Sequence, residues 1–268
     1  MIYEFSKLKV NEVKEIVNKE IQNQSTIIEE LINPLKSDSR KAVQKLGFKV
    51  EKYIYDLNSE IARVKSMYEF DTAFLQDKNM VIAGVDEVGR GPLAGPIVSA
   101  AVILDLDIKE NKDLILKIND SKKINEKTRE ELDSIIKEKA LYYNIVALDN
   151  KDIDHMGIAW CNNEVLLRAV TGIKTNIDLV LSDGYKIKNC PINNEHVIKG
   201  DSKSASIACA SIIAKVYRDR LMKKYHGSYP EYAFSKNVGY GTKEHIDSII
   251  KYGVTEIHRK SFLKNIVK

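Results

Sequence analysis

The chain has 268 residues, 44% of them hydrophobic, and 42 Lys and Arg against 38 Asp and Glu, which leaves room for one α/β domain of ordinary size plus a small accessory region. No apolar run approaches the roughly 18 residues of a membrane span, and no charged stretch followed by an apolar core opens the chain as a secretory signal would, so a cytoplasmic protein with no membrane partner is expected. The net charge of +4 is unevenly spread: residues 1–80 carry 13 basic and 13 acidic side chains, 81–198 carry 15 and 19, and 199–268 carry 14 and 6. An acidic centre beside a basic end suits a metal-dependent enzyme acting on a polyanion, although a basic end can also serve solubility. Cys161, Cys190 and Cys209 are too widely spaced for a disulfide framework or a zinc site and are expected to be buried free thiols.

Residues 1–75 contain one glycine, Gly47, and place apolar residues at helical spacing, as in Val10, Val13, Ile16 and Val17 and again in Ile27, Ile28, Leu31 and Ile32. Pro34 and Ser37-Asp38-Ser39 predict a break and a new N-cap, and Gly47 predicts a C-cap before a further helix toward Met67. A helical N-terminal extension over 1–75 and a catalytic domain over 76–268 are the expected division.

Ile82–Val85 predict a buried strand that ends in Asp86 and Glu87 and then breaks at Gly89-Arg90-Gly91. A carboxylate at a buried strand end is costly unless it is paired, hydrogen-bonded or bound to a metal. Glycines flanking Arg90 let backbone amides approach a ligand while the guanidinium reaches toward an anion. Ile97–Leu104 predict a second strand, antiparallel to the first. A helix begins near Asn125, Leu141–Leu148 alternate as a third strand, and Ile153–Val170 read as one helix. Ile177–Asp183 form another apolar strand ending in a carboxylate. Helix-separated strands of this kind run parallel, which brings Asp183 toward Asp86. A short strand over Val197–Asp201 leads into a helix of small residues, with Asp201 at the expected N-cap. Gly239-Tyr240-Gly241 precedes a last helix from about Thr242, with Tyr240 open either to packing or to stacking on a sugar or base.

The wording of these stretches resembles the type 2 ribonucleases H (ribonuclease HII). Asp86-Glu87, Gly89-Arg90-Gly91 and Leu93-Ala94-Gly95-Pro96 occur in that family's order. Asp120-Ser121-Lys122, Lys199-Gly200-Asp201-Ser202, the Ala210–Lys215 helix and Ile257–Phe262 carry the likeness over residues 81–262. The resemblance implies a ribonuclease H-like mixed sheet flanked by helices. It also implies Asp86, Glu87, Asp183 and Asp201 as catalytic metal ligands, ribose reading by the Gly89-Arg90-Gly91 backbone, phosphate contact by Lys122, and Tyr240 on the sugar beside the scissile junction.

Hard oxygen donors suit Mg²⁺ or Mn²⁺, and the sequence offers no His-Glu-x-x-His zinc pattern, P-loop or Rossmann fingerprint. The implied reaction is hydrolysis of RNA in RNA–DNA hybrids, or 5′ of a ribonucleotide embedded in duplex DNA, leaving a 3′-hydroxyl and a 5′-phosphate. A monomer is expected, with Lys203, Lys243, Arg259 and Lys260 as further phosphate contacts. A type 3 ribonuclease H, or a nucleic-acid-binding protein without catalysis, are the alternatives.

Overall fold

The computed structural model describes residues 3–23, 27–77, 79–264 and 266. The chain divides into two compact units, Met1–Arg63 and Val64–Lys268. In the first, α1 (Val10–Gln22), the 3₁₀ turn Glu29–Leu31, α2 (Ile32–Lys36) and the opening turns of α3 (Lys41–Thr72) bury Val13, Val17, Leu31, Leu35, Val43 and Val50 together. Their apolar residues recur every three or four positions, so each helix presents one stripe to that core. The expected break is present: Asp38 accepts from the backbone N–H and Nε of Arg40 just before α3. Gly47 is not a C-cap. It lies inside α3, where a Cβ would come within 2.9 Å of Lys36 Cγ and 3.1 Å of Leu35 Cβ, so its role is to let two helices approach.

The second unit is built on a five-stranded mixed sheet in the order β3-β2-β1-β4-β5. Its strands are β1 (Ile82–Val88), β2 (Ile97–Ile103), β3 (Tyr142–Leu148), β4 (Leu179–Asp183) and β5 (Asn194–Val197). β2 runs antiparallel to β1 and β3, while β4 runs parallel to β1 and β5. Side chains alternate across β1. Ala83 and Val85 pack on α6 (Ile158–Thr171) through Leu166, Ala169 and Val170. Ile82 and Gly84 face α7 (Ala205–Ser228), where a Cβ on Gly84 would lie 2.2 Å from the Ser206 carbonyl carbon. The small residues of α7 thus serve its close seat on the central strand. α4 (Glu126–Lys139), with Asn125 as its N-cap, and α9 (Lys243–Tyr252), with Thr242 as its N-cap, start where the capping residues predict.

Three local expectations are corrected. The helix expected over 153–170 is two, α5 (Asn150–Met156) and α6, because Gly157 between them takes a left-handed φ of +82°. β5 ends at Val197 rather than continuing to Asp201: Lys199 turns into the left-handed region and Gly200–Ser202 form a 3₁₀ turn. Asp201 therefore does not cap α7. Ser204 does, accepting from Ile207 N–H, and the buried Asp71 near the end of α3 accepts from Ser206 N–H at 2.8 Å.

Candidate active site

β1 continues past its apolar run through Asp86 and Glu87, so both carboxylates stand within the central strand rather than in the turn after it. The last paired position of the parallel β1–β4 ladder is Val85 with Ser182, and Asp86 and Asp183 are the next residues on each strand. Parallel pairing puts both at the same end of the sheet. Asp183 is fixed there by accepting from Gly200 N–H at 2.7 Å, and that turn presents Asp201.

The cluster is charged against itself, with Asp86 buried and Glu87, Asp183 and Asp201 partly buried. Asp86 is 7% exposed, and its carboxyl is pushed well above the usual range by burial, then by the charges of Glu87 and Asp183. Burial pushes Glu87 up to about 7, with Asp183 adding to the rise and Arg90, whose Nη1 lies 3.6 Å away, opposing it. Asp201 rises to about 6 through burial and the charges of Asp183 and Asp120. Lys122 partly offsets both Glu87 and Asp201. The buried Oε2 of Glu87 has no hydrogen-bond partner among the described residues.

Buried carboxylates that repel one another and leave an oxygen unpartnered are a donor set for a hard divalent cation. Among the described residues no group of three or more His, Cys, Asp or Glu closes into a ready-made cage. An open set still suits Mg²⁺, which keeps waters and substrate oxygens among its ligands.

Around the carboxylates, the Arg90 guanidinium lies 5.3 Å over the Tyr185 ring, and Lys122 and Lys123 are exposed. Tyr240, 41% exposed, is the nearest neighbour of Gly91, with its Cε1 3.7 Å from where a Cβ would stand. The two glycines of the loop differ. Gly89 has φ +94° and a Cβ there would meet Arg218 Nε at 2.4 Å, so glycine is demanded from the core side. Gly91 is merely uncrowded.

The structure brings together all four carboxylates, Gly89, Arg90, Gly91, Lys122 and Tyr240, and removes Arg259 from the phosphate-contact set. Arg259 is fully buried and donates to Gly95 O, Arg90 O and Gly89 O. Sequence reasoning missed Ser211, a buried hydroxyl that bonds Ser121 Oγ at 3.0 Å and lowers the Asp86 carboxyl, and also Asp120 and Tyr185. Ser211 is one of several polar residues buried along α7, with Ser206, Arg218 and Asp219, so no local signal singled it out. A cavity of about 350 Å³, lined by Leu75, Val81, Ile82, Ile103, Leu104 and Leu141 among others, opens at the start of β1, the opposite end of the sheet from the carboxylates.

A mixed sheet with clustered carboxylates at one end of its central strands is the architecture of a ribonuclease H-like hydrolase. The Ribonuclease HII family profile matches residues 83–265, and the Ribonuclease HII N-terminal domain profile matches 9–75. The chain is 58% identical to Ribonuclease HII of Clostridium novyi over 262 residues, 97% of each chain. It is 59% identical to that of Clostridium perfringens over 256 residues, 95% of this chain and 92% of the relative. The crystal structure of ribonuclease H2 from Pyrococcus horikoshii superposes with a TM-score of 0.59 at 25% identity, covering 70% of this chain and 97% of that one. The chain belongs to the Ribonuclease HII family and is an enzyme, a ribonuclease H. That decides for the type 2 reading over the type 3 and non-catalytic alternatives.

Proposed function

We propose that this enzyme hydrolyses the RNA strand of RNA–DNA hybrids and cuts on the 5′ side of a ribonucleotide embedded in duplex DNA. A water oxygen adds to phosphorus and the 3′-oxygen of the preceding nucleotide leaves, giving a 3′-hydroxyl and a 5′-phosphate. The observation that carries this reading is the self-repelling carboxylate set, built around the buried Asp86, beside an exposed arginine, a glycine-flanked backbone and a half-exposed tyrosine.

Asp86, Glu87, Asp183 and Asp201 would hold Mg²⁺ or Mn²⁺, which stabilises charge on the reacting phosphate. Arg90, kept between Glu87 and Tyr185, offers a guanidinium to a backbone phosphate. Lys122 contributes a point charge from the loop before α4. Backbone N–H groups at Gly89-Arg90-Gly91 read the 2′-hydroxyl, the group that separates RNA from DNA at a given position. The Tyr240 ring packs on the sugar next to Gly91.

Duplex DNA carrying a single ribonucleotide tests this directly. Cleavage that requires Mg²⁺ or Mn²⁺ and yields 3′-hydroxyl ends is expected, with calorimetric titration of the cation reporting binding independently of turnover. Cation-independent cleavage, or none with either ion, overturns the reading.

A further inference from the structure

The loop from Gly89 to Pro96 rests on two guanidiniums that make no ion pair with a carboxylate among the described residues. Arg218 donates to Pro96 O, Ala94 O and Val238 O, and Arg259 to Gly95 O, Arg90 O and Gly89 O, the last at 2.6 Å. Burial lowers Arg218 to about 10 and Arg259 to about 9, so both stay charged at neutral pH. Their donors are spent on backbone carbonyls, and this has a geometric consequence. In a trans peptide the C=O and the following N–H point in opposite directions. With the Gly89 and Arg90 carbonyls turned down onto Arg259, the N–H groups of Arg90 and Gly91 are turned away from it.

The residue before Arg259 reaches the other half of the same site. His245 Nδ1 lies 2.8 Å from Tyr240 O, and a carbonyl only accepts, so this nitrogen carries the hydrogen. The bare Nε2 of His245 then accepts from His258 Nε2–H at 3.0 Å. His258 Nδ1 in turn accepts from Thr255 N–H at 2.9 Å, with the Thr255 hydroxyl 2.8 Å away. Every ring nitrogen has one role, and the relay works only with both imidazoles neutral. Tyr232 and Phe234 pack against both rings, and burial holds His245 below its usual value and His258 at about 4. The backbone closes the arrangement: Leu93 N–H donates to Gly239 O, Arg259 N–H to Leu93 O, and Gly95 N–H to Ile257 O.

We propose that His258 and Arg259 are positioning residues that together set ribonucleotide specificity. Arg259 aims the Arg90 and Gly91 amides toward the ribose, and His258 acts through His245 to hold Tyr240 beside Gly91. This rests on the reading of Gly89-Arg90-Gly91 and Tyr240 given above.

The test uses His258→Phe and Arg259→Met in the full chain, and His258→Phe also in a Tyr240→Ala background. kcat and KM are measured on a duplex with one ribonucleotide and on a continuous hybrid, alongside Mn²⁺ titration and near-UV circular dichroism. Each single variant should lower kcat/KM at the single ribonucleotide about tenfold more than on the hybrid, the scale on which supporting residues usually act. Mn²⁺ affinity should stay within about twofold, as expected for a distant, uncoupled site. His258→Phe should add nothing to Tyr240→Ala, because it acts through that residue. Equal losses on both substrates, or full additivity with Tyr240→Ala, overturn the inference while leaving the stacking role of Tyr240 intact. A Tyr240→Ala enzyme with an unchanged rate ratio overturns both. Should His258→Phe or Arg259→Met fail to fold, Thr255→Val and Arg259→Lys carry the same test, with smaller shifts in the same direction expected and unchanged ratios overturning the inference.

Discussion

Two regions of buried charge lie within a few residues of each other, and they are built oppositely. At the end of β1, Asp86 and Glu87 bury negative charge among other carboxylates, and Glu87 Oε2 finds no hydrogen-bond partner among the described residues. Beneath the loop that follows, Arg218 and Arg259 bury positive charge with no carboxylate in hydrogen-bond reach among the described residues, yet they donate to six backbone carbonyls between them. The first region is left unsatisfied by the protein, which is what the proposed cation site requires. The second is satisfied by the protein and calls for nothing. A buried charge therefore marks a ligand site only when its own hydrogen-bonding capacity is left open.

The largest expected effect sharpens that contrast. Asp86→Asn and Asp183→Asn keep volume but lose ligand charge, so each should reduce turnover by about a thousandfold, or about 4 kcal/mol of transition-state stabilisation. In the absence of cations the same variants should melt no lower than the parent, because a repelling neighbour has been neutralised. A variant with near-normal turnover would remove that residue from the site.

The two glycines of the loop separate the regions at single-residue resolution. Gly89→Ala places a Cβ at φ +94° and 2.4 Å from Arg218 Nε, and should destabilise the fold by more than about 1 kcal/mol in denaturant titration. Gly91→Ala meets only Tyr240 Cε1 at 3.7 Å, so stability should change by less than about 0.5 kcal/mol. Its cost should appear instead as weaker preference for the ribonucleotide, with cation binding unaffected. Equal stability losses in the two variants would break the distinction.

The smallest effect concerns the basic end. Lys122, Lys203, Lys243 and Lys260 are exposed, and neutralising any that meets a phosphate should flatten the salt dependence of binding by about one unit of slope. Arg259→Gln should leave that slope unchanged, since its guanidinium is buried on carbonyls. A flattened slope there would return Arg259 to the substrate surface.

Much of this site was legible in the chain because strand ends are written locally. A short β-branched run interrupted by Asp86, and another ending at Asp183, can be read from neighbours alone, as can the caps Asn125 and Thr242. Gly157, Gly47 and Asp201 were misread because their roles depend on what packs against them or on a turn that sequence spacing does not encode. The apolar period continues through Gly157, yet the backbone there turns left-handed. Gly47 looks like a stop signal until α2 is seen against it.

What the sequence determined by itself is the order of elements, the parallel placement that brings Asp86 toward Asp183, and the oxygen-donor chemistry of the carboxylates, all consequences of residue type and period. Only the tertiary structure decided the fate of the basic residues. Lys260 and Arg259 are adjacent and alike in charge, but one is in water and the other lies under the Gly89–Pro96 loop. That difference comes from long-range packing of the 257–259 segment alongside Leu93–Gly95, and no local pattern distinguishes a guanidinium that will meet phosphate from one that will meet carbonyls.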